Sequence, residues 1–218
     1  MQQQTPDKIQ LGCEDLKLLL DRGYPKEYAL WFIGDHHGLT TAERNLVMRQ
    51  AYSEQEISST QAKLKPISYL AGRHFVIDGF NVIITLEQAL FTGGAFKCMD
   101  GLIRDNAMAF SNYKITDNTR KTVDEVIDLL AESKPKDVTW VFDSQLSGSG
   151  SLSQYVMRRQ REAGIPGESM TSPTADHQIY RLNLLTATSD SALIKRLNEI
   201  IDLPAAVLDK KQEHSAEK

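Results

Sequence analysis

The sequence predicts an α/β domain built on a mostly parallel sheet and preceded by a small all-α domain. Three observations carry that expectation. Short apolar runs alternate with amphipathic helical stretches over residues 67–208, the pattern of βαβ units. Three of those runs end in aspartate: His74-Phe75-Val76-Ile77-Asp78, Val138-Thr139-Trp140-Val141-Phe142-Asp143 and Leu184-Leu185-Thr186-Ala187-Thr188-Ser189-Asp190. Residues 1–66 instead carry helical periodicities.

Taken in order, residues 7–22 read as an amphipathic helix with Ile9, Leu16, Leu19 and Leu20 on one face. Gly23 suits its C′ position and Pro25 the opening of a second helix to about Gly34. Gly34-Asp35-His36-His37-Gly38-Leu39 is a connecting turn. Its histidines read as solvated or capping groups, with metal binding as the sharper alternative. Thr40 and Glu43 have capping-box spacing for a third helix, on which Arg44 and Arg49 are expected at the surface. Residues 53–66 are a linker or a further helix.

The strand at 74–78 opens the second domain. Gly79 after it permits a tight turn or a close backbone approach, and Val82 to Leu90 continues as strand or helix. Gly101 to Asp105 is expected to begin a helix, and residues 118–132 form another, with Val123, Val126, Ile127 and Leu130 at helical spacing. The strand at 138–142 is followed by a Ser/Gly loop, Ser144 to Ser153, and a helix bearing Arg158, Arg159 and Arg161. Helices are expected at 176–183 and 191–202, with a strand at 184–188 between them. A last strand at 205–208 and a disordered tail at 209–218 complete the reading.

Composition narrows the function classes. Of 218 residues, 41% are hydrophobic and 25% charged, the profile of an ordinary globular protein. No apolar run approaches the ~20 residues that span a bilayer, and the N-terminus lacks the regions of a signal peptide, so the expected address is cytoplasmic. Two cysteines without a partner motif, Cys13 and Cys98, read as reduced structural thiols. Residues 1–73 carry nine Lys and Arg against nine Asp and Glu, so the acidic excess, twenty against sixteen, lies in the remainder. Bulk electrostatics would not grip a nucleic acid here; a local basic patch and bound cations would be required.

The aspartates set the chemistry. An acid at the end of a parallel strand sits at the carboxyl edge, where open α/β sheets place their ligands. If Asp78, Asp143 and Asp190 lie on neighbouring strands, their charges gather, at a cost that protons or cations must offset. Hard divalent cations, Mg²⁺ or Mn²⁺, suit an all-oxygen site and can activate water for displacement at phosphorus. Asp176 could add a fourth carboxylate or cap its helix; Asn81 could ligand, orient or simply turn the chain. The Ser144–Ser153 loop, with Ser147 and Ser149, could hold a phosphate at the following helix N-terminus. Arg158 and Arg159 could then track a strand's backbone; a surface loop and a solvated basic face are the plainer alternatives. Arg104 and Asp105 could be a surface pair or lie beside the site.

Ile77-Asp78-Gly79-Phe80-Asn81-Val82-Ile83, Thr174-Ala175-Asp176-His177-Gln178-Ile179 and Thr186-Ala187-Thr188-Ser189-Asp190 resemble, in that order, the motifs of PIN-like nucleases of the NYN branch. The likeness covers about residues 74–208. It implies a Rossmann-like three-layer α/β/α sandwich whose acids bind Mg²⁺ or Mn²⁺ for RNA hydrolysis. By resemblance, Asp78, Asp176 and Asp190 take metal-site roles, supported by Asn81 and Ser189, and Asp143 fits the acid after a central strand. His177 stands where related sequences often have a second acid. The whole chain, including Arg22-Gly23-Tyr24-Pro25 and Gly34-Asp35, also looks like an uncharacterised two-domain prokaryotic family, which implies architecture and no activity.

The expected function is a metal-dependent ribonuclease or related phosphodiesterase acting through Asp78, Asp143, Asp176 and Asp190. RNA is the expected partner, with a second copy of the chain or another protein engaged through the helical domain. The alternative is a non-catalytic PIN-like module that binds RNA or protein. A haloacid-dehalogenase-type phosphatase is disfavoured because Phe80 stands where a second aspartate is needed. A nicotinamide-binding domain is disfavoured because no Gly-x-Gly-x-x-Gly follows a strand.

Overall fold

The computed structural model describes residues 7–106 and 113–216. Helices α1 (Lys8–Asp21), α2 (Lys26–His36), α3 (Thr41–Gln50) and α4 (Glu54–Lys63) come first. Asp7 caps α1, while Thr40 with Glu43 and Ser53 with Glu56 form capping boxes at α3 and α4. Each box satisfies two backbone N–H groups that a helix start leaves unpaired. Leu16, Ala29, Leu39 and Val47 make a small core among these helices.

A 3-10 turn, Ile67–Leu70, leads to β1 (His74–Asp78), α5 (Gly79–Phe91), and a hairpin of β2 (Ala95–Lys97) and β3 (Ile103–Asp105). Then follow α6 (Asp117–Ser133), β4 (Asp137–Asp143), α7 (Ser149–Glu162), β5 (Gly167–Ser172) and α8 (Ala175–Leu182). The chain closes with β6 (Leu185–Ala187), α9 (Ser191–Arg196), β7 (Ile200–Ile201) and α10 (Leu203–Ala216). The main sheet has the order β5-β4-β1-β6-β7, and every pairing in it is parallel. Helices α5, α6, α7 and α10 cover one face through Phe80, Ile127, Val156 and Leu203, among others. On the other face, Ile179 of α8 and Leu193 and Ile194 of α9 lie over Val76 and Val141. The fold is thus an α/β three-layer sandwich of Rossmann-like form behind an all-helical region.

The order places a switch point at β1. From it the chain builds outward to β4 and β5, then returns to its other side for β6 and β7. Open α/β sheets bind ligands at the carboxyl ends of strands flanking such a point. Gly79 has no positive φ; its role is close approach, since an added Cβ would stand 2.4 Å from the Phe142 ring.

Several elements differ from the sequence reading. Gly101 to Asp105 does not start a helix: β3 pairs back on β2, and its Ile103 N–H donates to Asp202 at 2.8 Å. The strand expected at 205–208 and the disordered tail expected from 209 are instead α10, which runs to Ala216, while 217–218 lie outside the described residues. Val207 packs into the core, while Lys210 pairs with Glu132 at 2.7 Å and Lys211 with Glu125, so the charged stretch is held against α6. Helix α9 stops at Arg196, freeing residues 200–201 for β7, and α7 begins within the expected Ser/Gly loop. Among the described residues no helix is long and apolar enough to cross a membrane.

Candidate functional site

The four aspartates arrive from four places. Asp78 ends β1, Asp143 ends β4, Asp190 is the N-cap residue of α9 just past β6, and Asp176 lies in the first turn of α8. All four line one cleft of about 670 Å³. None has a cationic side chain within 4.0 Å among the described residues.

Asp78 is buried, and its Oδ2 accepts from the Thr188 hydroxyl at 2.8 Å. Burial pushes its carboxyl up to about 7, Thr188 opposes the shift, and the charges of Asp176 and Asp190 add to it. Asp176 stands at the rim. Partial desolvation raises its pKa, and the charges of Asp190 and Asp143 raise it further. Asp190 Oδ1 accepts from the Leu193 N–H at 2.7 Å and Asp143 Oδ1 from the Gln145 N–H at 2.8 Å. Each therefore caps its own turn with one oxygen, as carboxylates at such positions do.

Asn81 orients. Its side-chain oxygen accepts from both the backbone N–H and the hydroxyl of Ser189, at 2.8 and 2.9 Å, tying α5 to the loop that carries Asp190. Thr188 ties the same loop to itself by accepting from the Asp190 N–H at 3.1 Å. The Ser189 carbonyl in turn accepts from Arg104 Nε at 2.8 Å. Asn81 and Ser189 thus share one hinge of hydrogen bonds behind the carboxylates.

The other expected residues lie elsewhere. Ser147, Ser149, Arg158 and Arg159 do not line the cleft. Ser149 is buried at the start of α7; Arg159 is held by Asp124 at 2.7 Å and Glu162 at 2.6 Å, and Arg158 reaches Glu162 at 3.8 Å. The basic helix is engaged by acids of α6 and its own last turn. His177 is exposed and does not line the cleft either.

Residues that the sequence left undecided or unmarked complete the walls. Asp105 is buried at the end of β3, accepts from Thr85 at 3.0 Å and lies 3.5 Å from Arg49. Arg104 forms a bidentate pair with Asp100, both bonds 2.7 Å. Arg49, Tyr52 and Lys26 reach the cleft from the helical region, and Lys195 from α9, where it pairs with Glu56 at 2.9 Å. Arg49 was expected at the surface; α3 instead lays it against β3. Nothing in the spacing of Lys26 or Arg49 marks them, because the cleft joins segments far apart in the chain.

The four aspartates offer carboxylate oxygens with no cationic side chain within 4.0 Å among the described residues, the donor type that suits a hard divalent cation. The spacing is open, however. Among the described residues, Asp15, His36 and His37 alone offer three ligand atoms mutually within 4.8 Å. That group lies in the helical region, away from the cleft, with His37 Nε2 2.8 Å from Asp15.

Residues 67–206 match a family model described as Domain of unknown function (DUF5616), and residues 8–63 match one described as Protein of unknown function (DUF434). The chain is also similar to an uncharacterized protein of Methanocaldococcus jannaschii, 32% identical over 203 residues, which cover 92% of this chain and 97% of that protein. Both the family match and this relative extend over the sheet and its acidic cleft, and the chain belongs to the DUF5616 family.

Proposed function

We propose that the protein is a metal-dependent ribonuclease or related phosphodiesterase with a PIN-like catalytic domain of the NYN kind. One observation carries the reading: four carboxylates from four elements meet one cleft at the switch point of a parallel sheet, and among the described residues no cationic side chain lies within 4.0 Å of them. Asp78, Asp143, Asp176 and Asp190 would hold Mg²⁺ or Mn²⁺, which supplies a water of lowered pKa and charge stabilisation at phosphorus. Thr188 fixes the Asp78 carboxyl, and Asn81 fixes the Ser189 turn that presents Asp190.

Labelled single-stranded and structured RNAs, incubated with the protein and Mn²⁺ or Mg²⁺, test it. Cleavage is expected that EDTA abolishes and that falls at least about a hundredfold in Asp78→Asn and Asp190→Asn, the scale of losing a group that stabilises the transition state. Cleavage equal in both variants contradicts the reading. A second reading, a non-catalytic module binding RNA or protein, is favoured by the open spacing of the carboxylates and the exposed His177. It expects RNA binding without cleavage under every metal.

A further inference from the structure

The cleft is also lined by side chains opposite in charge to the four aspartates, beside the acids Glu56 and Asp105. Four cationic residues line it: Lys26, Arg49, Arg104 and Lys195. Arg104 is committed to Asp100 and Lys195 to Glu56. The other two hold donors in reserve. Lys26 Nζ donates to the Ala51 carbonyl at 2.7 Å and sits 4.5 Å over the Tyr52 ring, with no carboxylate within 4.0 Å among the described residues. An ammonium has three N–H donors, and among the described residues only one of them is hydrogen-bonded. Among the described residues Arg49 has one loose ion pair, with Asp105 at 3.5 Å, and its Nε is buried without a hydrogen-bond partner.

Burial of such groups costs free energy unless an anion compensates them. The burial of Lys26 lowers its pKa, in keeping with that cost. Neither residue belongs to the α/β domain: Lys26 opens α2 and Arg49 lies in the last turn of α3. The helical region is fixed against α9 and the β2–β3 hairpin by Tyr52 on Ser191 at 2.9 Å, by Lys63 donating to the Ile194 carbonyl at 2.8 Å and by the Met99 N–H donating to the Gln50 carbonyl at 3.0 Å. The cations therefore face the cleft from a settled position.

We propose that Lys26 and Arg49 hold a phosphate anion of the ligand in the cleft, making the helical region part of the substrate site. This rests on reading the cleft as a phosphodiester site; the anion could belong to a polynucleotide strand or to a small phosphorylated molecule. Lys supplies a compact charge with rotatable donors and Arg a planar fork, both suited to phosphate oxygens.

Equilibrium binding tests the proposal without requiring cleavage. The probes are inorganic phosphate and a fluorescein-labelled single-stranded RNA, each with the full-length protein in Ca²⁺. Lys26→Met and Arg49→Gln are compared with Arg158→Gln, which alters a cation outside the cleft, and circular dichroism melts verify each fold. Affinity for phosphate is expected to fall about tenfold or more in each of the first two and to hold within about twofold in the third. RNA that binds far more tightly than phosphate, with the same losses, identifies a strand; equal affinity identifies a small phosphorylated ligand. Absence of binding by the wild-type protein, unchanged affinity in folded Lys26→Met and Arg49→Gln, or an equal loss in Arg158→Gln overturns it. Loss of RNA cleavage under all metals, with Lys26-dependent binding intact, would remove the nuclease reading and leave the anion site standing.

Discussion

Asp78, at the end of β1, is buried with its carboxyl on the Thr188 hydroxyl, and Asp143, Asp176 and Asp190 line the same cleft. Its pKa, up to about 7 from 3.8, makes it a pH-dependent weakness in the metal-free protein. The folded state keeps a proton that the unfolded chain has lost between those values, so stability falls as pH rises from about 4 to about 7. The penalty is complete above pH 7 and amounts to about 4 kcal/mol. Asp78→Asn should then raise the melting temperature at pH 8 in EDTA by about 5 °C or more and change it little at pH 4. A scan showing the same shift at both pH values would place the effect in packing rather than in charge. Asp78 itself was legible because a buried apolar strand ending in an acid has few other uses. Asp105 was not: three residues of β3 follow a turn, carry no alternation, and owe their burial to α5 and to the helical region. Arg49 fails for a similar reason, since its neighbour lies far along the chain.

At the scale of elements, the strands and helices that pack into the core were the readable ones. Strands β1 and β4 are continuous apolar runs between turn residues, and α6 shows its buried face at helical spacing. Strand β5, Gly-Glu-Ser-Met-Thr-Ser, is a polar edge strand, held by backbone pairing to β4 rather than by an apolar signature. Helix α5 is buried along most of its first two turns, so periodicity could not separate it from a strand. Its first residue carries a test of packing. Gly79→Ala gains helix propensity of about 1 kcal/mol but drives a methyl into Phe142. The clash should win, with a net loss of about 1–3 kcal/mol in denaturant midpoint analysis. A stabilised Gly79→Ala protein would show that β4 yields there.

The whole molecule is organised by an acidic floor from the α/β domain and a partly basic lining to which the helical region contributes Lys26 and Arg49. The sheet order, with its switch beside β1, decides where the floor lies; the docking of α2 and α3 decides what stands over it. A sequence reading reaches the floor, because strand ends and carboxyl edges follow from local pattern and topology rules. It does not reach that lining, because docking is a tertiary outcome with no local signature. The same division bears on metal. Among the described residues two places invite a metal titration: the four cleft aspartates, and Asp15, His36 and His37 in the helical region, whose ligand atoms lie within 4.8 Å of one another. Calorimetric titration of Mn²⁺ into the wild-type protein, Asp78→Asn, Asp190→Asn and His36→Ala separates them. The cleft account predicts one or more bound Mn²⁺, lost or weakened at least about tenfold in both aspartate variants and unchanged in His36→Ala. Binding that survives both aspartate substitutions, or no binding at all, would contradict it.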